Sequence, residues 1–304
     1  ISPNPEEPAA LAMAVEKAKE TDAELVMASD PDADRVGAAV KNNEGEWVLL
    51  NGNQTALMFV YYLITRWKEL GKINGKEYIV KTIVTTETIK TIAERNGVEM
   101  YDVYTGFKWI ANVMRENEGK KNYIGGGEES YGFLCEDFVR DKDAVSACVI
   151  LAEIAAWAKD QGLSLYQLLQ KIYVEYGFSK EKGISVVKKG KSGAEEIEAM
   201  MKKFRENPLT EIAGSKVTYF YDYSTLKGKD YAENETVTLD MPTTSNVLQY
   251  FTEDNTKVSI RPSGTEPKIK FYMEVQGEMG CRNCYASAES AAMEKIEAVK
   301  KSLG

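Results

Sequence analysis

The sequence predicts a mixed α/β chain that ends in an α+β domain with a small antiparallel sheet. Strand and helix patterns alternate from residue 8 to about residue 173, strand-like runs cluster after residue 178, and apolar residues make up 43% of the 304 residues. Alternation is typical of parallel sheets, and clustered strands flanked by helices are typical of a separate α+β domain. At about 150 residues per domain, the length indicates roughly two domains.

The first half is predicted to build the α/β part. Pro8 begins a helix that runs to Lys19, because proline suits the first turn and apolar residues then recur at helical spacing. The run ELVMAS at 24–29 predicts a buried strand that leads directly into a polar loop. Further helices are predicted over 54–70, 86–96, 107–116, 144–159 and 165–173, and further strands over 78–84, 99–104 and 123–126.

The pattern changes near Phe178. Residues 178–193 are rich in Lys and Gly, which predicts a linker running into a strand. A helix is predicted over 194–205, strands over 216–221, 247–251, 257–260 and 268–275, and a terminal helix over about 283–302.

Composition excludes several classes of function. The chain has no histidine, so it contains no Ser-His-Asp triad, no Cys-His pair and no His-ligated zinc. Its net charge of −9 argues against general nucleic-acid binding, and its apolar runs are too short to predict a membrane span. Four cysteines do not suggest a disulfide scaffold, so a cytoplasmic location is the expectation.

The segment DPDADR places three carboxylates at alternate positions, Asp30, Asp32 and Asp34, directly after a predicted strand. Alternate side chains of such a loop converge on one side, and three carboxylates there suit a hard cation such as Mg²⁺. An EF-hand loop would need Gly and Glu where Arg35 and Lys41 stand, so that reading is rejected. A solvated acidic turn is the alternative.

Two further segments are candidate binding loops. GGGEESYG at 125–132 combines glycines, which allow close backbone approach, with Glu128 and Ser130, which can bind sugar-like hydroxyls; the alternative is a flexible loop. RPSGTEP at 261–267 offers a guanidinium, hydroxyls and backbone N–H groups suited to a phosphate, or it is a turn between strands. Lys142, at the predicted start of a helix, is a candidate for binding an anion or transferring a proton.

Taken together and in this order, DPDADR, GEESYG and RPSGTEP resemble the metal-binding, sugar-binding and phosphate-binding loops of the α-D-phosphohexomutase superfamily, which includes phosphoglucomutase and phosphomannomutase. TGFKW at 105–109 also resembles a ligand-binding segment of the phosphoglucomutase branch. The resemblance spans essentially the whole chain. It implies phosphohexomutase-type αβ domains followed by the C-terminal α+β domain.

The family has four domains, and the resemblance implies the end of domain 2 at 1–50, domain 3 at 51–177 and domain 4 at 178–304. The family's phosphoserine lies in a segment like TASHNP, which a chain without histidine does not contain. Ser2 is not nominated for that role, because SPNP leads into the helix before the metal loop. We therefore expect a C-terminal fragment that is inactive alone.

The resemblance also implies a role for each matching residue. Asp30, Asp32 and Asp34 would bind Mg²⁺, and Lys142 and Arg35 would serve catalysis, Lys142 by proton transfer and Arg35 beside the transferring phosphoryl group. The residues implied in substrate binding are Thr105, Gly106, Lys108, Glu128, Ser130, Arg261, Ser263, Gly264 and Thr265.

The implied activity of the parent enzyme is interconversion of glucose 1-phosphate and glucose 6-phosphate, through a phosphoserine and glucose 1,6-bisphosphate. The GEES form of the sugar loop favours glucose. Phosphomannomutase activity and a non-catalytic sugar-phosphate-binding module are the alternatives, and a Mg²⁺-dependent phosphatase leaves the sugar and phosphate loops unexplained. We expect a phosphorylated hexose as partner, no nucleic acid or membrane, and self-association of the fragment through an exposed strand edge.

Overall fold

The computed structural model describes residues 2–188, 190–264 and 266–304. The chain divides into two compact units, one of residues 1–177 with 280–282, and one of residues 178–279 with 283–304. Within the described residues, none of the helices combines the length and apolarity needed to cross a bilayer.

Within its described residues, the first unit holds two sheets and six helices. Its strands are β1 (Leu25–Ser29), β2 (Val36–Lys41), β3 (Trp47–Leu50), β4 (Glu77–Thr82), β5 (Glu99–Val103), β6 (Asn122–Gly127) and β7 (Phe133–Cys135). Its helices are α1 (Pro8–Glu20), α2 (Gly52–Glu69), α3 (Thr88–Arg95), α4 (Phe107–Asn117), α5 (Ala144–Asp160) and α6 (Leu165–Tyr176).

The first sheet has the order β1-β2-β3 and is antiparallel throughout. Leu11 and Ala18 of α1 pack on Val26 and Ala39, so α1 covers one face of this sheet. The buried strand expected over residues 24–29 is instead an edge strand in the described structure, with Val26 as its one buried residue. A strand paired on one side only cannot be enclosed as a central strand would be.

The second sheet has the order β5-β4-β6-β7. Its first three strands are parallel, as the alternation of strands and helices predicts, whereas β7 runs antiparallel to β6. Tyr78, Val80 and Ile110 belong to the core between this sheet and α4. Helix α2 begins with a capping box of Asn51 and Gln54, and its residues 52–64 are buried throughout.

The described part of the second unit carries an antiparallel sheet of eight strands. These are β8 (Phe178–Val187), β9 (Glu211–Ile212), β10 (Ser215–Asp222), β11 (Lys227–Asp230), β12 (Glu235–Thr238), β13 (Leu248–Thr252), β14 (Lys257–Pro262) and β15 (Lys268–Gly277). The main order is β12-β11-β10-β13-β14-β15-β8, with β9 paired to β10. The helices are α7 (Gly190–Glu206) and α8 (Tyr285–Leu303).

The C-terminal α+β architecture is therefore confirmed, but the linker expected from residue 178 is wrong. Residues 178–187 form a ten-residue strand whose every residue pairs with β15. Phe178 and Ser179 are buried in it, and the strand then alternates more and less exposed residues, so its lysines lie on a sheet and not in a free segment. Cys135 and Cys148 carry free thiols, whereas Cys281 and Cys284 are disulfide-bonded.

Candidate active site

The DPDADR loop leaves the end of β1 and brings its three carboxylates together. One oxygen each from Asp30, Asp32 and Asp34 lie within 4.8 Å of one another. Asp30 Oδ1 accepts the backbone N–H groups of Asp34 and Arg35, both at 3.0 Å, which closes the loop on itself. Ala33 takes a φ of 56° at the turn. The three carboxylates thus converge in the structure, as their alternate spacing in the sequence predicts.

The donor set of this cluster fits a hard divalent cation. Asp34 Oδ1 is buried, and no described residue hydrogen-bonds to it, although Arg35 Nε lies 3.8 Å away. Burial works against the charge of Asp30, but the N–H groups of Arg35 and Asp34 outweigh it and hold the pKa of that carboxyl below its usual value. Clustered carboxylate oxygens of this kind are ligands for Mg²⁺, which brings charge neutralisation to bound phosphates.

Lys142 joins the same site from the other side. Its Nζ lies 2.6 Å from Asp34 Oδ2, and Ala144 N donates to Ala33 O at 2.9 Å, so the start of α5 is bonded to the DPDADR loop. Burial acts against the charged lysine, but the hydrogen bond and charge of Asp34 raise its pKa above the usual value. The helix begins at Ala144 with Asp143 as its N-cap, so Lys142 precedes the helix.

The GEESYG loop contacts the DPDADR loop through backbone atoms. Arg35 and Gly132 form a β-bridge, and Val36 N donates to Tyr131 O at 3.0 Å. Gly132 also gives space to Lys142, since a Cβ there would lie 2.4 Å from the lysine Cδ. One contiguous region therefore holds the carboxylate cluster, Lys142, Arg35 and the GEESYG loop.

Glu128 is held inside this region by TGFKW. The residue is 6% exposed, and its Oε1 accepts the N–H of Gly106 at 2.7 Å. Gly106 needs its φ of 110° to present that N–H at the start of α4, a value that other residues rarely adopt. Thr105 and Ser130 are half-buried, and Lys108 is exposed, with its Nζ 4.8 Å from the Trp109 ring centre.

Glu129 also lies in this region, although no motif in the sequence points to it. Its Oε2 accepts hydrogen bonds from the hydroxyls of Thr82, the last residue of β4, at 3.0 Å and of Thr85, three residues further on, at 3.3 Å, and both threonines are fully buried. Burial, and then the charge of Glu128, raises the pKa of Glu129. The only signal in the sequence was its position between the two candidates in GEES.

The RPSGTEP loop lies in the second unit, between β14 and β15. Ser263 N donates to Lys268 O at 2.8 Å, and Glu266 N donates to Ser263 Oγ at 3.3 Å. Arg261 is half-buried opposite Lys270 in the sheet register, and nothing lies within 4 Å of a Cβ built on Gly264. Thr265, the last of the expected phosphate-binding residues, lies outside the described residues.

These features define a class of protein: a multi-unit α/β protein whose first unit carries a cation-type carboxylate loop bonded to a glutamate-bearing loop. Sequence profiles for three domains of one family match this chain. They are phosphoglucomutase/phosphomannomutase α/β/α domain II over residues 1–45, α/β/α domain III over 51–176, and the C-terminal domain over 185–280.

Full-length relatives agree with the profiles. A phosphoglucomutase of Staphylococcus aureus is 38% identical over 275 residues, which cover 90% of this chain and 49% of the relative. One of Staphylococcus haemolyticus is 34% identical over 274 residues, again with 90% and 49% covered. The chain thus spans about half the length of the curated relatives it matches.

Solved structures share the fold. A phosphoglucomutase/phosphomannomutase family protein of Burkholderia thailandensis matches with a TM-score of 0.61 at 19% identity, over 99% of this chain and 51% of that one. The phosphoprotein pp63/parafusin of Paramecium matches with a TM-score of 0.56 at 17% identity, over 91% and 46%. The chain belongs to the α-D-phosphohexomutase superfamily.

Proposed function

We propose that this chain is the part of a phosphoglucomutase-type phosphohexomutase that binds the sugar phosphate and Mg²⁺. The observation that carries the proposal is the contiguity of the carboxylate cluster, Lys142, Arg35 and the GEESYG loop in the first unit. Transfer of a phosphoryl group mainly requires positioning and charge stabilisation, and a cation, a guanidinium and an ammonium are suited to that.

Each group has a distinct proposed task. Asp30, Asp32 and Asp34 hold Mg²⁺, which offsets negative charge on the phosphoryl group. Arg35 lies beside that group, and Lys142 moves a proton at the reacting hydroxyl. Glu128 accepts hydrogen bonds from sugar hydroxyls, Ser130 donates hydrogen bonds to them or accepts from them, and Thr105, Gly106 and Lys108 line the ligand site.

In the second unit we propose that Arg261, Ser263, Gly264 and Thr265 hold the phosphate that is not transferred. We also propose the partition into 1–50, 51–177 and 178–304, and a parent that interconverts glucose 1-phosphate and glucose 6-phosphate in the cytoplasm, with glucose 1,6-bisphosphate as intermediate. Because a TASHNP-like phosphoserine segment is not among these 304 residues, we propose that the chain is inactive alone.

The test separates binding from turnover. Calorimetry with glucose 1-phosphate and Mg²⁺ should give saturable binding that Glu128→Gln weakens, whereas Glu118→Gln, an exposed change in the same unit, leaves it unchanged. No binding by the wild-type chain would overturn the proposal. A turnover assay with added glucose 1,6-bisphosphate should give no product, and robust turnover would overturn the proposed inactivity.

A further inference from the structure

The segment NPEE, before α1, has no place in the proposed function, yet it is built tightly onto the site. Asn4 Oδ1 accepts the N–H of Glu6 at 3.1 Å, and Asn4 O accepts the N–H of Glu7 at 3.0 Å. Pro5, between them, is buried against β2. A Cβ on Gly37 would lie 2.6 Å from both Cβ and O of Pro5, so this strand position requires glycine. The turn is therefore fixed in place.

The turn directs the carboxylate of Glu6 onto Arg35. Glu6 Oε1 lies 3.3 Å from Arg35 Nη1, and each side chain is about a third exposed, at 35% and 37%. Its other ion pairs with the described residues are longer, with Nε 3.8 Å from Asp30 Oδ2 and from Asp34 Oδ1. Glu6 is thus the nearest carboxylate to Arg35 among the ion pairs of the described residues.

The partner of Glu6, Arg35, also joins the second loop of the site through its β-bridge with Gly132. Burial, and then the negative charge of Glu6, raises the pKa of Tyr131 to about 12. The backbone carbonyl of Tyr131 accepts the N–H of Val36, which joins the GEESYG loop to β2. The carboxylate of Glu6 consequently lies at the junction of the DPDADR loop and the GEESYG loop.

We infer that Glu6 is a positioning residue that holds the Arg35 guanidinium in the orientation in which it meets a phosphoryl group. The inference rests on the role proposed above for Arg35. A cation bound by Asp30 and Asp34 would neutralise their negative charge. These two carboxylates would then attract the Arg35 guanidinium less strongly. Glu6 lies outside the cluster, so it keeps Arg35 paired and ordered in that state.

A rival explanation is that Glu6 occupies the place of a phosphate and competes with it. The two explanations predict opposite signs for one substitution. Glu6→Gln should weaken glucose 1-phosphate binding if Glu6 orders Arg35, and should tighten it if Glu6 competes. Because the ion pair is partly exposed to solvent, we expect Glu6→Gln to lower the affinity for glucose 1-phosphate about threefold.

The experiment measures two quantities for Glu6→Gln and for its neighbour Glu7→Gln. Glu7 is exposed and its side chain makes no capping hydrogen bond, so it is a matched change of charge. The first quantity is the dissociation constant for glucose 1-phosphate with Mg²⁺, by calorimetry. The second is the NMR signal of the Arg35 Nε–Hε group without ligand, assigned with Arg35→Lys.

We expect Glu6→Gln to weaken binding about threefold and to move the Arg35 signal toward that of a solvent-exposed arginine, with Glu7→Gln like the wild type. In an Arg35→Gln background, Glu6→Gln should have no further effect on affinity. Tighter binding, or unchanged binding with an unchanged Arg35 signal, overturns the inference. If the wild-type chain does not bind glucose 1-phosphate, the proposed function fails, and an Arg35 signal unmoved by Glu6→Gln overturns the inference separately.

Discussion

The ammonium group of Lys142 lies 2.6 Å from Oδ2 of Asp34, the third carboxylate of the DPDADR loop. A positive side chain therefore touches one of the three proposed ligands of Mg²⁺. The ammonium and the divalent cation would share that carboxylate, and like charges at such separations repel. Binding of Mg²⁺ is thus expected to weaken, or to displace, the contact between Lys142 and Asp34.

Lys142→Met should accordingly tighten Mg²⁺ binding by about fivefold, the upper end for a partly exposed ion pair. Titration calorimetry with Mg²⁺ alone measures this change in affinity. The control is Lys159→Met, because the pair of Lys159 with Glu24 is 70% exposed on both sides and lies outside the cluster. Unchanged or weaker Mg²⁺ binding by Lys142→Met would contradict the shared-carboxylate argument.

Asp32 allows the cation site to be tested without disturbing the fold. It is exposed, whereas Asp30 ties down the loop backbone. Asp32→Asn should weaken Mg²⁺ binding at least tenfold, since it removes one charged ligand of three, and should leave the melting temperature unchanged. Asp22→Asn, at an exposed carboxylate outside the cluster, is the control. Equal Mg²⁺ affinity in all three proteins would show that the loop is a structural turn.

Glu77 predicts a pH-dependent part of the stability of the first unit. It is 2% exposed, and its Oε2 accepts the N–H groups of Asn74 at 2.7 Å and Gly75 at 2.9 Å, while Oε1 accepts the Asn122 amide at 3.1 Å. Burial opposes the charge, but the N–H group of Asn74, the amide of Asn122 and the N–H of Gly75 outweigh it and hold the pKa below its ordinary value of 4.5.

A lowered pKa means that the ionised form stabilises the folded state above pH 4.5, and that this contribution is lost as the pH falls through the folded-state pKa. Glu77→Gln should therefore lower the free energy of unfolding by about 2 kcal/mol at pH 7. In acid, the free energies of unfolding of the variant and the wild type should become equal. All four tryptophans precede residue 178, so fluorescence during urea unfolding reports on the first unit. Exposed Glu94→Gln should change little; a pH-independent difference for Glu77→Gln would contradict the argument.

The sequence predicts the arrangement of groups that are close neighbours in the chain. Alternate spacing alone predicted that Asp30, Asp32 and Asp34 would converge. The hairpin of β2 and β3 is not among the predicted elements, although Asn-Asn-Glu-Gly at 42–45, between two apolar runs, is a turn signal. That hairpin matters, because β2 carries the Gly37 that receives Pro5.

Contacts between distant positions could not be predicted in this way. Glu6 and Arg35 are 29 positions apart, and Gly106 and Glu128 are 22 apart. Such pairs depend on how β2 and α4 pack, and local propensity carries no information about that. The sequence thus indicates which side chains are chemically suited to the site, and tertiary packing decides which of them orient the others.

The edge of the first sheet predicts that the chain associates with itself. In the described structure β1 pairs with β2 alone, so its other side offers unpaired backbone groups. Exposed edges of this kind pair with other chains unless charge or cover prevents it. We expect the chain to self-associate through β1, with a mass by light scattering that rises with concentration. Leu25→Lys, which adds a charge at the half-buried start of β1, should reduce the rise, and a wild-type monomer at high concentration would contradict the argument.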